Sequence, residues 1–177
     1  MSTSLLRRCR PPGELALTDG SRVYARPIRP ADRDALADAF ARLSERSRYL
    51  RFLGPKHTLS PRELTYLTEV DHVTHEAIVA LDEDDRIVGV ARYAAWQESA
   101  ETADVAVTVA DDWHGRGLGS ALTARVVECA RANGIARLTG TTLWENAPAS
   151  ALLRRLGFRA VGSGDGAVDF RLDLAAA

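Results

Sequence analysis

From Val107 to Leu122 an apolar run, VTVA, breaks at two aspartates, passes Gly115, Gly117 and Gly119, and resumes with apolar positions at helical spacing. The polar and apolar pattern on either side predicts the remaining elements. ELALTDGSRVYARPI alternates on both sides of Asp19-Gly20, a hairpin signal. RPADRDALADAFARLS carries Leu36, Phe40 and Leu43 at helical spacing, with Ala31 or Asp32 near its start. SERSRYLRFLGP reads as a short helix stopped by Gly54-Pro55. SPRELTYLTEV reads as another, with Pro61 in the first turn and Glu63 three residues after Ser60, a capping-box spacing. HEAIVALDED and DRIVGVARYAAW are two strands around an acidic turn, and ETADVAVTVA is a third. LGSALTARVVECARANG is a helix with Leu118, Leu122 and Cys129 on one stripe and Gly134 at its end. A strand, ARLTGTTLW, follows. The helix NAPASALLRRLGF has Asn146 as its cap and Gly157 as its stop, and two strands flank the Gly-rich turn of RAVGSGDGAVDFRLDL. The order implies a mixed α/β domain with an antiparallel run first and one parallel crossover, from Asp104–Val109 to Arg137–Leu143.

Composition narrows the class. With 177 residues, 46% hydrophobic and 27% charged, the chain suits one soluble globular domain over 14–177. Residues 1–13 are expected to be a flexible leader ended by Pro11-Pro12-Gly13. A net charge of -1 points away from nucleic acid or anionic membrane as main partner. No apolar run approaches the ~20 residues of a membrane span. The two cysteines, Cys9 and Cys129, imply no disulfide framework. Cys129 is expected as a small core residue with a free thiol, in keeping with a reducing cytoplasm. His72 and His75 lack the further ligands of a zinc set, so no metal is expected.

The glycine loop carries the chemistry. Side chains are removed where a strand ends and a helix begins, so main-chain N–H groups face outward together at the positive end of the helix. Such a place binds an anion, commonly phosphate or pyrophosphate, and Arg116 adds a positive charge. HGRGLG lacks the Gly-Lys-Ser/Thr ending of a Walker loop. As a dinucleotide fingerprint it fails at Leu122. The plainer alternative is a helix start that merely needs flexible residues.

VTVADDWHGRGLGSALTARVVECARANGIARLTGTTLWENAPASALLRRLGF resembles the acetyl-CoA-binding core of the GNAT superfamily of N-acetyltransferases. LTDGSRVYARPIRPADRDAL, LSERSRYLRFLGP and LSPRELTYLTEVDHVTHEAIVA resemble the catalytic domains of bacterial protein-lysine acetyltransferases. The resemblance implies a GNAT-like, mostly antiparallel central sheet with flanking helices and one parallel strand pair at the cofactor cleft. It implies acetyl-CoA as acyl donor. The backbone of Val107, Thr108 and Val109 would pair with the pantetheine arm. The N–H groups of Gly115, Arg116, Gly117, Leu118, Gly119 and Ser120 would hold the pyrophosphate, next to His114, which stands where the family usually has Gln or Arg. Asn146 would help position the pantetheine end.

Transfer to an amine needs a base, since a lysine with pKa ~10.4 is neutral in roughly one molecule in a thousand at pH 7. Asp104 stands where the lysine-acetylating relatives have Glu and is the favoured base, with Glu101 a nearby substitute; the alternative is a solvated strand residue. Glu69, Asp71 and His72 are candidates to line the acceptor entrance. The Tyr that serves many GNAT enzymes as general acid falls at Leu153 and is absent. The expected acceptor is a protein lysine. A small-molecule amine acetyltransferase and a non-catalytic acyl-CoA-binding module are the rivals, a deep acidic pocket favouring the small amine and an open groove the protein. The oligomeric state is left open, a homodimer included.

Overall fold

The computed structural model describes residues 12–174. An eight-stranded sheet runs β1 (Gly13–Ala16), β2 (Arg22–Pro27), β3 (His75–Leu81), β4 (Ile87–Trp96), β5 (Ser99–Val109), β6 (Arg137–Leu143), β8 (Ala167–Asp173), β7 (Arg159–Gly164) in spatial order. Every pair is antiparallel except β5–β6. The helices are α1 (Arg33–Arg42), α2 (Glu45–Phe52), α3 (Pro61–Thr68), α4 (Leu118–Ala132) and α5 (Ala147–Arg155). This is the expected order of elements. The expected leader lies outside the described residues for most of its length, and Gly13 already belongs to β1.

Local chemistry accounts for the element ends. Gly20 adopts φ 86° in the β1–β2 turn, which a side chain would strain. Ser60 accepts from the Glu63 N–H while Glu63 returns a bond to the Ser60 N–H at 2.8 Å, so the capping box opens α3 as its spacing predicts. Asp32 ends a single 3-10 turn before α1. Its carboxylate takes both terminal nitrogens of Arg26 at 2.7 Å and the Arg29 N–H, which locks β2 to the helix start.

Two apolar cores flank the sheet. On one face α4 and α5 pack Leu118, Leu122, Val126 and Leu153 against Ile78, Ala91, Tyr93, Val105 and Phe170. On the other, α1 and α3 pack Leu36, Leu64 and Leu67 against Ala77, Val79, Ile87 and Val90. Cys129 lies fully buried in the first core, as its stripe predicts, but it is not a free thiol.

Two features were not legible in the pattern. The parallel pairing of β5 with β6 covers only Thr102–Asp104 against Arg137–Thr139, not the whole crossover strand. And β8, the last strand, inserts between β6 and β7.

Candidate active site

Beyond Asp104 the strands β5 and β6 part company, and among the described residues no strand pairs with Val105–Val109 on that side. The Ala110 N–H bonds to the Val88 carbonyl, so by alternation the main-chain groups of Thr108 also turn toward β4. Those of Val105, Val107 and Val109 turn into the gap, which is the edge an extended ligand would meet. The side chain of Thr108 is on the opposite face of the sheet from α4, where it lines a cavity under α1 and α2. His114 Nε2 donates to the Val109 carbonyl at 2.9 Å, so that acceptor already has a partner.

The glycine loop closes one end of the gap. Gly115 and Gly117 adopt φ 75° and 83°, and Gly117 is the N-cap of α4 with no side-chain cap. The main-chain N–H groups from Gly115 to Ser120 have no hydrogen-bond partner among the described residues; the first helical bond is from Ala121 to the Gly117 carbonyl. Two glycines also answer to packing. A Cβ on Gly117 would lie 2.9 Å from Thr18 Cγ2, and one on Gly119 3.0 Å from Leu152 Cδ1. The β1–β2 turn holds the loop from outside, through a bond from the Thr18 N–H to the Arg116 carbonyl. The Arg116 side chain is engaged away from the bare amides: it donates to the Asp112 carbonyl, lies 3.6 Å from Asp19 and covers the Trp113 ring. A different cation stands at the loop, since Arg155 at the end of α5 reaches Ser120 Oγ at 3.4 Å. Only its position in the last turn of α5 hinted at this in sequence. Asn146 caps α5 through its side-chain oxygen, to the Ala149 N–H, which leaves its NH2 group as a donor.

Asp104 shares with Ala106 and Thr108 the face of β5 opposite α4. It is exposed, opposite Ala94 on β4 and beside Thr139 on β6, whose hydroxyl donates to Oδ1. Its other oxygen has no partner among the described residues. Next to it the same face of β6 and β8 carries Arg137, Thr141, Asp169, Arg171 and Asp173, all exposed. On the other side lies Arg92, opposite Ala106 and 7% exposed.

Several sequence candidates fall elsewhere. Glu101 is exposed and separated from Asp104 by the buried Thr102, in a stretch where the β4–β5 register shifts, and its carbonyl accepts from the Ala136 N–H. Glu69 ends α3. The Asp71 carboxylate binds the N–H groups of Val73, Thr74 and His75, and burial notwithstanding, the Thr74 hydroxyl and these N–H groups bring its pKa down to about 2. His72, at φ 60°, turns its ring to the buried Glu76 at 2.8 Å. His75 is the histidine on the Asp104 face. Its Nε2 lies 3.2 Å from an Arg92 nitrogen, which can only donate, so that nitrogen carries no proton. Burial, then the Arg92 charge, hold its pKa down to about 4. Tyr66 stacks on it with ring centres 4.9 Å apart. Tyr93 is fully buried between the Val73 carbonyl and Asn133 Nδ2, and burial raises its pKa to about 12. Leu153 packs in the core beside Gly140 and Val105, so no hydroxyl stands at that point of α5.

The Acetyltransferase (GNAT) domain model matches residues 22–159. An acetyltransferase of Pseudomonas aeruginosa is 37% identical over 146 residues, 81% of this chain and 78% of the relative. The acetyltransferase Pat of Mycolicibacterium smegmatis is 30% identical over 139 residues, 78% of this chain; the match spans 41% of that longer protein. Among solved structures, the GNAT domain of S. lividans PAT superposes with a TM-score of 0.87 at 28% identity, covering 92% of this chain and 97% of that one. A strand edge left unpaired beside a bare-amide helix start thus sits inside a matched sequence and a matched fold, and the chain belongs to the GNAT acetyltransferases, enzymes whose acyl donor is acetyl-CoA.

Proposed function

We propose that this enzyme acetylates the side-chain amine of a protein lysine. The observation that carries the reading is the setting of Asp104. It is an exposed carboxylate at the mouth of the β5–β6 gap, and it opens onto the uncovered polar face of β6 and β8 rather than into a closed pocket. A polyamine would call for an acidic pocket, yet this face carries the buried Arg92 and the half-buried His75 beside Asp104. The resemblance of LTDGSRVYARPIRPADRDAL, LSERSRYLRFLGP and LSPRELTYLTEVDHVTHEAIVA to bacterial protein-lysine acetyltransferases supports a protein acceptor.

The residues present fit acetyl-CoA. The unbonded N–H groups from Gly115 to Ser120, at the positive end of α4, would hold the pyrophosphate, and Arg155 would add a charge there. His114 would support the loop through its bond to the Val109 carbonyl, and Thr108 would act only as the link that sets its neighbours' direction. The inward main-chain groups of Val107 and the Val109 N–H would pair with the pantetheine arm, and the Asn146 NH2 would donate to it. Acetyl-CoA supplies an acetyl group activated as a thioester. Asp104 takes the proton from the incoming ammonium, directly or through one water, and Thr139 orients the carboxylate by donating to Oδ1.

The test is release of free thiol from acetyl-CoA against a panel of lysine-bearing proteins and small amines. Asp104→Asn is expected to lower kcat/KM by about 10²–10⁴-fold with acetyl-CoA affinity retained. Full rate in that variant removes Asp104 as base. Turnover confined to small amines removes the lysine reading.

A further inference from the structure

A cavity of about 60 Å³ lies between the sheet and α1–α3, on the Asp104 face, walled by Phe40, Phe52, Leu59 and Leu67 and containing two cations, Arg51 and Arg92. Arg92 is buried and Arg51 half-buried, and cations in such apolar surroundings ordinarily sit against a carboxylate. Among the described residues neither of these forms an ion pair. Arg92, on β4, spends one nitrogen on the Leu67 carbonyl and the lone pair of His75. Arg51, in the last turn of α2, donates no hydrogen bond among the described residues and rests on the Phe52 ring, 5.0 Å from its centre. A guanidinium keeps its proton in proteins, so both are cations at neutral pH; burial, and for Arg92 also the neighbouring Arg51 charge, lower their pKa values, that of Arg92 to about 10. Two like charges in an apolar setting leave a site short of one anion. Along the sheet, Arg92 is opposite Ala106 and Asp104 is opposite Ala94, so the cavity and the candidate base are diagonal neighbours on one face.

We propose that Arg51 and Arg92 form an anion subsite for the acceptor, filled by the carboxylate of an Asp or Glu side chain next to the target lysine. The inference rests on the lysine reading above and goes beyond it by naming what flanks the lysine. The cavity has room for a small polar group such as a carboxylate. The open face of β6 and β8 leaves room for the remainder of a polypeptide. Charge and shape therefore divide the work: Asp104 meets the ammonium and the arginine pair meets the acid beside it.

The experiment compares pairs of lysine peptides that differ only by Glu or Gln at one position flanking the lysine. The Glu member is expected to be preferred about tenfold or more in kcat/KM, mainly through KM, as a charge-assisted pair implies. Arg51→Gln is expected to bring the ratio close to one. Arg92→Lys, which keeps a charge and spares the fold, should reduce it in part. A second arm is independent of turnover. Propionate, which copies the end of a glutamate side chain, should raise the thermal midpoint above that in equal propionamide, and Arg51→Gln should remove the difference. Equal Glu and Gln rates in every pair would overturn the proposal, whatever propionate does. So would a preference for free amino acids over their amides without any peptide preference, since the acceptor would then be a small molecule. If no amine is acetylated, the lysine reading has failed, and the propionate arm alone decides the subsite: a difference abolished by Arg51→Gln upholds it, and no difference overturns it.

Discussion

At the residue scale the glycine loop joins two demands that the sequence did not separate. Gly117 has a left-handed backbone and almost no space beyond Cα, whereas Gly119 sits in the first turn of α4 facing the movable end of Leu152. Gly117→Ala is therefore expected to destabilise the fold by about 1–3 kcal/mol, read in urea unfolding, and is a poor probe of binding. Gly119→Ala is expected to change stability by less than about 1 kcal/mol. Its methyl group at the bare amides should still raise KM for acetyl-CoA severalfold. An unchanged KM would detach Gly119 from the cofactor site. Arg155→Ala is expected to raise that KM about three- to tenfold while kcat holds, because an exposed cation contributes to phosphate binding and not to the transfer.

At the element scale the site depends on how β6 and α5 are held after β6 leaves β5. Thr142 on β6 and Ser150 on α5 share a buried hydroxyl–hydroxyl bond of 2.9 Å. Removing one hydroxyl leaves the other buried and unpaired, so Ser150→Ala should cost about 1–2 kcal/mol. Thr142→Val with Ser150→Ala should cost less than the sum of the two single changes. Additive losses in denaturant titrations would mean that the bond does not link these elements. Capping signals were readable because they are local: Ser60, Glu63 and Gly20 do what their spacing suggests. The extent of the β5–β6 pairing was not readable. It is decided by the packing of Val105, Gly140 and Leu153, residues far apart in the chain.

At the scale of the whole molecule, two groups in the turn before β3 and at its start contribute to the pH response. His75 has a folded pKa of about 4 against 6.5 for the ordinary group, so the unfolded chain binds more protons between these values. Stability is then complete above pH 6.5 and falls as pH drops toward 4, by on the order of 1–3 kcal/mol. Asp71, depressed to about 2 from 3.8, adds a further loss between about pH 4 and 2. Thermal midpoints across this range should decline in two stages, and His75→Gln should flatten the upper one. A flat profile from pH 7 to 4.5 in the native protein would contradict the half-buried, neutral His75.

The sequence by itself determined the order of elements, the hairpin at Asp19-Gly20, the caps of α3 and α5, and the glycine loop, because each is written in neighbours a few residues apart. Strand alternation was enough to set Asp104 apart from the valines of β5. Tertiary structure alone decided that His75 and not His72 shares the face of Asp104, and that Arg155 reaches the loop. It also brought Arg51 and Arg92 to one cavity. Those outcomes depend on which distant faces pack together, and burial of apolar surface from elements far apart in the chain sets that arrangement, with no trace in local spacing.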